Sequence, residues 1–128
     1  MELTSRDSQY AGRRRRFTFD VAQTPGAIVM TLGGELDVVC ADAFKRRFSD
    51  ATEDEPAHIV IDLRELTFID STGLALLLGI NEMAQDGGFE LSIVSTQDDA
   101  ARKIFRMTGT ERLLPLVDEP PDVPPSDQ

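Results

Sequence analysis

The chain has 128 residues, 41% of them hydrophobic and 28% charged, so it is long enough to form one domain with its own core. Its 13 basic and 23 acidic residues give a net charge of −10, which disfavours nucleic acid and anionic membranes as partners. Cys40 is the single cysteine, which excludes an internal disulfide and is expected to be a small buried residue of a cytoplasmic protein.

Both ends differ in composition from the middle of the chain. Residues 1–16 are polar and finish in Arg13 to Arg16, which predicts a disordered basic leader. Residues 119–128 form a proline-rich acidic tail. A single domain is therefore expected over residues 17–118.

The domain opens with a β-hairpin. Phe17, Phe19 and Val21 alternate with more polar residues, as in a strand with one buried face, and Ala27 to Leu32 forms the next strand after a turn at residues 23–26. The remaining predicted elements are a helix over Asp42 to Ala51, a buried strand over Ile59 to Leu63, a short apolar segment over Leu66 to Ile69, a helix from Ser71 to Ala84, a strand over Phe89 to Val94, a helix over Ala100 to Met107 and an edge strand over Leu113 to Val117.

This ββαβαβαβ order predicts the α/β class. A hairpin followed by alternating strands and helices gives a mixed, mainly parallel sheet of about five strands with helices packed on it. The longest apolar run in the helix after Ser71, Gly73 to Ile80, is far shorter than the ~20 residues that cross a bilayer, so no membrane span is expected.

The Asp70-Ser71-Thr72-Gly73 turn places two hydroxyl groups at the start of a helix. Asp and Ser are favoured N-cap residues because their oxygens accept hydrogen bonds from the unpaired N–H groups of the first turn. The same position suits a phosphate, because the N–H groups and the helix dipole both favour an anion. An ordinary N-cap explains the tetrapeptide equally simply.

The helix that follows has an apolar side and a polar side. Leu76, Leu77 and Ile80, with Met83 and Ala84, project toward the sheet. Leu74 and Leu78 project among polar residues beside Ser71, which indicates either a docking patch or two leucines covered by a neighbouring loop.

The sequence lacks three common motifs of enzyme active sites and nucleotide-binding sites. The chain has no Gly-x-Ser-x-Gly elbow, no phosphate-binding Gly-Lys-Ser/Thr and no Gly-x-Gly-x-x-Gly, and His58 is its one histidine. We therefore expect no catalytic residue, no cofactor and no metal. Asp37, Asp62 and Asp70 are candidates for a carboxylate cluster at the ends of strands, although chance is sufficient to explain them in so acidic a chain.

Three segments closely resemble the STAS domains of bacterial anti-sigma-factor antagonists. They are GGELD (Gly33 to Asp37), VIDLRELTFIDSTGLALLLG (Val60 to Gly79) and KIFRMTGTERLLPLV (Lys103 to Val117). The resemblance covers Phe17 to Asp118, and the Asp-Ser-Thr-Gly-Leu segment is its most specific part.

The resemblance implies a protein that binds an anti-sigma factor and so releases a sigma factor. The partner in such proteins is usually a serine kinase of the histidine-kinase-like ATPase fold, and the serine after the aspartate, here Ser71, is the residue it phosphorylates. A metal-dependent serine phosphatase reverses the modification. The partner surface implied here comprises Asp37, Asp70, Thr72, Gly73, Leu74 and Leu78.

Three other functions stay open at this point. A receiver domain phosphorylated on aspartate would also need an acidic pair after its first strand and a Lys-Pro near its last, and the chain has neither. A constitutive STAS scaffold or ligand-sensing subunit would use Ser71 only as a helix cap. An enzyme built on the carboxylates is the third alternative.

Overall fold

A computed structural model describes residues 17–121, which contain five strands and three α-helices. The elements are β1 (Thr18–Thr24), β2 (Ala27–Leu36), α1 (Ala41–Ala51), β3 (His58–Ile69), α2 (Ser71–Met83), β4 (Glu90–Val94), α3 (Asp99–Met107) and β5 (Leu116–Val117). The predicted leader and all but the first residues of the predicted tail lie outside the described range.

The strands form one sheet in the order β1-β2-β3-β4-β5. β1 pairs with β2 antiparallel through the predicted hairpin, and Gly26 at its turn has a φ of 81°. The pairs β2 with β3, β3 with β4 and β4 with β5 are parallel. The predicted mixed, mainly parallel α/β sheet is confirmed.

Strand β3 is longer than predicted. The two apolar segments expected at Ile59–Leu63 and Leu66–Ile69 belong to one strand of 12 residues. Its pairing with β2 shifts twice, between Thr31 and Gly33 and between Gly34 and Glu35, and each shift leaves an extra residue in β3. Pairing with β2 continues beyond both bulges to Ile69, whereas pairing with β4 ends at Asp62, so β3 reaches past the end of β4 to the start of α2.

The core lies between the sheet and the helices. Apolar side chains of β2 and β3 such as Met30, Leu32 and Ile61 are fully buried, and Leu77 and Ile80 of α2 belong to the same cluster. An aromatic group closes the β1 side, with the Phe19 and Phe44 rings 5.8 Å apart in an edge-on arrangement. Helix α1 is thereby fixed against the hairpin.

The predicted faces of α2 are partly wrong. Leu74 is buried at 6% exposure and Leu78 is half-buried against the core, whereas Met83, predicted to be inward, is 49% exposed. Of the two alternatives for Leu74 and Leu78, the structure shows the covered one, and on this side of α2 Asn81 donates from its side-chain amide to the carbonyl oxygen of Leu113 at 3.1 Å. The segment after α3 therefore covers this side of α2.

Residues at the ends of α2 and α3 explain where these helices end and begin. Asp98 caps α3 by accepting from the N–H groups of Ala100 and Ala101 at 3.0 and 3.1 Å. The chain turns away after α2 at Gly87, whose φ is 97°. β5 has two residues rather than the five expected, and it lies at the sheet edge as predicted. No helix within residues 17–121 is long and apolar enough to span a bilayer.

Asp62 does not join the other carboxylates at the end of the sheet. It lies within β3, buried at 6% exposure, and accepts from the guanidinium group of Arg64 at 2.8 Å. Burial by itself would raise the pKa of Asp62, but hydrogen bonds from the side chain and backbone of Arg64, together with its positive charge, hold that pKa below the usual value of 3.8. The predicted cluster of three carboxylates is wrong for this residue.

Replacement of Arg64 by Gln should make stability depend differently on pH. A carboxyl group whose folded pKa is depressed stabilises the fold above its unfolded pKa, and this contribution is lost as the pH falls through the folded pKa. The variant leaves Asp62 buried without its cation. Thermal melts should therefore show a lower Tm than wild type at pH 7, and the difference should shrink as the pH drops below 3.8.

Arg112→Gln is the matched control, because Arg112 is exposed and makes no ion pair with any described residue. Its melting curve should follow that of wild type at each pH. A Tm difference for Arg64→Gln that is the same at pH 7 and pH 3 would contradict the assignment.

Candidate functional site

Ser71 is the first residue of α2, and its side chain is exposed. The residue before it, Asp70, is the N-cap: it has extended backbone angles, and its Oδ1 accepts from the N–H of Gly73 at 3.0 Å. The predicted helix start and the capping role of Asp70 are confirmed. Neither the Ser71 nor the Thr72 hydroxyl forms a hydrogen bond with another residue of the described chain.

The second oxygen of Asp70 joins the helix to another part of the fold. Its Oδ2 accepts from the N–H of Val38 at 3.1 Å, and the N–H of Asp70 donates to the carbonyl oxygen of Leu36 at 3.3 Å. The loop between β2 and α1 is therefore held against the start of α2. Two loops that are 32 residues apart in sequence form one surface at the carboxyl edge of the sheet.

Asp37 lies in this loop but uses its carboxylate within it. Its Oδ1 accepts from the N–H of Val39 at 3.0 Å and from that of Cys40 at 3.4 Å. The thiol of Cys40 also contacts the carbonyl oxygen of Glu35 at 3.3 Å. Asp37 thus shapes the loop beside Ser71, at the sheet edge where it was predicted to lie.

Cys40 confirms its expected structural role. It is 4% exposed, and burial, with the nearby Asp37 carboxylate as a smaller contribution, raises the pKa of its thiol to about 12. The thiol stays protonated at neutral pH and is a poor nucleophile. Within residues 17–121, no group of three or more His, Cys, Asp or Glu side chains is arranged to hold a metal ion.

Gly73 is part of the packing rather than of the accessible surface. A Cβ at this position would lie 2.6 Å from the carbonyl oxygen of Leu36 and 2.7 Å from the side chain of Ile69. The first turn of α2 lies against the ends of β2 and β3, and only glycine leaves enough space for this close approach. Leu74 enters the core one residue later. Gly73 and Leu74, which were predicted to contact a partner, are therefore not exposed.

Two residues that the sequence prediction missed supply the apolar part of this surface. Val38 and Val39 are each 64% exposed, and the backbone of Val38 is bound to Asp70. Adjacent β-branched residues after the Gly33–Asp37 segment, outside any strand or helix, were the available signal. The surface formed by Asp37, Val38, Val39, Asp70, Ser71 and Thr72 is called the Ser71 surface below.

The electrostatics of the Ser71 surface favour a small anion at Ser71. Asp70 satisfies the N–H of Gly73, while the first-turn N–H groups of Ser71 and Thr72 remain at the positive end of the helix dipole. The carboxylates of Asp37 and Asp70 already accept from backbone N–H groups of their own. An added negative charge can therefore be accommodated in the isolated domain.

Comparison with known proteins agrees with this geometry. A family model described as the STAS domain matches residues 18–122. The chain belongs to the STAS domain family.

The relatives of this STAS domain given below are all described as anti-sigma factor antagonists. An anti-sigma F factor antagonist from Paenibacillus polymyxa is 29% identical over 94 residues, 73% of this chain and 80% of the relative. An anti-sigma-B factor antagonist from Staphylococcus aureus is 30% identical over 83 residues, 65% of this chain and 76% of the relative. The crystal structure of an anti-sigma factor antagonist from Mycobacterium paratuberculosis is 27% identical, has a TM-score of 0.69 and aligns over 80% of this chain and 86% of the other.

Substitution of Gly73 by Ala should destabilise the STAS domain by about 1–3 kcal/mol, because the new methyl group overlaps the end of β2. Gly79→Ala in the same helix is the control: a Cβ there meets nothing within 4 Å, so the substitution should stabilise the domain by about 0.5–1 kcal/mol. Urea unfolding measures both changes. Equal effects of the two substitutions would exclude the proposed close contact at Gly73.

Proposed function

We propose that this STAS domain is an anti-sigma-factor antagonist whose binding is switched off by phosphorylation of Ser71. Its partner is an anti-sigma factor that is also a serine kinase of the histidine-kinase-like ATPase fold. Binding of this partner releases a sigma factor, and a serine phosphatase restores the unmodified chain. The observation that carries the proposal is the exposed Ser71 hydroxyl at the start of α2, beside a loop that Asp70 fixes in place.

The accessibility of Ser71 supports its role as the phosphoacceptor. A kinase must reach the hydroxyl oxygen, and this oxygen forms no hydrogen bond within the described chain. The Thr72 side chain is half-buried and so is less accessible. Asp70 is engaged with Gly73 and Val38, and its part is to position the serine rather than to react.

Val38 and Val39 are proposed as the apolar contacts of the partner, in place of Leu74. Complete burial of a valine side chain contributes about 1.5–3 kcal/mol, so covering two that are 64% exposed would give roughly 1–2 kcal/mol each. Leu74 has no comparable area left to bury, and Leu78 keeps only its half-exposed part. Asp37 contributes by accepting from the N–H of Val39, while Asp70 accepts from that of Val38.

Phosphorylation is proposed to act on the complex and not on the fold. The phosphate adds about −1.5 to −2 charges at neutral pH. In the free domain it is exposed to water at a helix N-terminus, which favours an anion. Within the complex it is desolvated near Asp37 and Asp70 and occupies space that the partner needs. A loss of about 4 kcal/mol weakens binding roughly a thousandfold.

Paired baits test this switch. Wild type, Ser71→Asp and Ser71→Asn are immobilised in lysate of the source cell, and the retained proteins are identified by mass spectrometry, with phosphate mapped on the recovered bait. Asn has nearly the size of Asp without its charge. We expect an ATPase-fold kinase to be retained by wild type and Ser71→Asn, lost by Ser71→Asp, and to leave phosphate on Ser71, while the Tm of all three baits stays nearly the same.

Retention of the same proteins by all three baits, with no phosphate on Ser71, would contradict the switch. The chain would then be a constitutive STAS binding module, in which Ser71 is only the first residue of the helix.

The apolar contact is tested with the double variant Val38→Ser/Val39→Ser. Loss of about 2 kcal/mol or more of burial should weaken binding of the captured partner about thirtyfold. Met83→Gln is the control, because Met83 is 49% exposed at the opposite end of α2 from Ser71. Isothermal titration should find the control unchanged. Equal affinity of wild type and the valine double variant would place the interface elsewhere.

A further inference from the structure

A small polar cleft lies between the end of β4 and helix α3, away from the Ser71 surface. Its volume is about 70 Å³, and Leu63 and Phe105 form its apolar floor. Leu63 and the end of β3 at Ile69 are six residues apart with the bulges between them, so the cleft lies roughly 15 Å along the strand from the start of α2. It is also at the carboxyl end of a parallel strand, where open α/β sheets bind ligands.

Two arginines form one wall of the cleft. Arg102 and Arg106 are one turn apart on α3, so both project on the same side of the helix. Both are exposed, and neither has a carboxylate within 4.0 Å among residues 17–121. The buried Phe105 next to Arg106 anchors this helix against the sheet. Two arginines without a carboxylate partner among residues 17–121 therefore line one small volume in a chain whose net charge is −10.

The segment after β4 also lines the cleft, and its hydrogen bonds leave one hydroxyl without a partner. Thr96 is 1% exposed, and its hydroxyl donates to the carbonyl oxygen of Leu66 at 2.6 Å and accepts from the N–H of Asp98 at 3.1 Å. The N–H of Ser95 donates to the carbonyl oxygen of Val117 at 2.9 Å. The Ser95 hydroxyl has no hydrogen-bond partner in the described chain, so it is available to a ligand.

Glu111 is the single carboxylate that lines the cleft, and it forms no ion pair with Arg102 or Arg106. Two guanidinium groups and one carboxylate favour an anion that also carries a proton. Inorganic phosphate at neutral pH keeps a P–OH that can donate to a carboxylate, whereas sulfate has no such proton. The volume of the cleft, about 70 Å³, is far below the ~300–1,000 Å³ of pockets for drug-sized ligands. It therefore suits a single small anionic group.

We propose that this cleft binds a single phosphate group. The guanidinium groups of Arg102 and Arg106 and the Ser95 hydroxyl donate to the phosphate oxygens. The Glu111 carboxylate accepts from the P–OH and selects phosphate over sulfate. This site does not depend on phosphorylation of Ser71.

The test is a titration of the full chain with inorganic phosphate at pH 7, followed through backbone amide NMR signals at constant ionic strength maintained with chloride. We expect saturable shifts of Ser95, Thr96 and the Arg102–Arg106 amides. Arg102→Gln/Arg106→Gln should weaken binding by about tenfold or more, which is the loss expected for charge-assisted hydrogen bonds. Arg46→Gln, which removes an exposed arginine of α1, should leave binding unchanged. Absence of saturable shifts at these amides, or the same binding by the double variant, would overturn the proposal.

Two further titrations identify the anion that the cleft binds. Sulfate should bind roughly tenfold more weakly than phosphate to wild type, and Glu111→Gln should remove most of this difference because Gln can donate to sulfate. Equal binding of the two anions by wild type would overturn the role of Glu111. Adenosine monophosphate distinguishes the source of the group: tighter binding than inorganic phosphate assigns the cleft to a nucleotide, and weaker binding assigns it to free phosphate.

Discussion

The Asp70 carboxylate is the interaction on which the Ser71 surface depends. One oxygen accepts from Gly73 and starts α2, and the other accepts from Val38 and holds the loop after β2. Without this side chain, the start of α2 would lose its hydrogen bond to the loop between β2 and α1. Ser71, Val38 and Val39 belong to one surface because a single carboxylate binds both segments.

The rest of the fold brings these two segments within reach of Asp70. β3 pairs with β2 to the end of both strands, at Leu36 and Ile69, and Gly73 lets the first turn of α2 approach the carbonyl oxygen of Leu36. Asp37 and Cys40 then close the loop that displays the valines. Buried apolar residues of α2 pack this edge against the core. An edge packed in this way suits a switch in which charge changes while shape does not.

Much of this arrangement follows from local sequence chemistry. The hairpin, the strand and helix order and the start of α2 at Ser71 could be predicted because strand alternation, turn residues and N-cap preference act over a few residues. Asp70 could be recognised as a cap, but its second partner, Val38, could not.

The errors arise where distant segments decide the outcome. The helical projection leaves Leu74 open between a docking patch and a covered residue, because it contains no information about neighbouring segments such as the one at Leu113. β3 was divided because its bulges interrupt the pairing but not the strand. Asp62 was grouped with the other carboxylates because its burial beside Arg64 is a property of the folded sheet. Each of these features depends on tertiary contacts.

The most direct measurement is the affinity of the captured kinase for the chain with phosphoserine incorporated at position 71, determined by calorimetry beside the unmodified chain. A thermal melt of each free protein accompanies it. The account predicts an affinity lower by about a thousandfold with nearly the same Tm. Equal affinities, or a loss of affinity matched by unfolding of the phosphorylated domain, would contradict it.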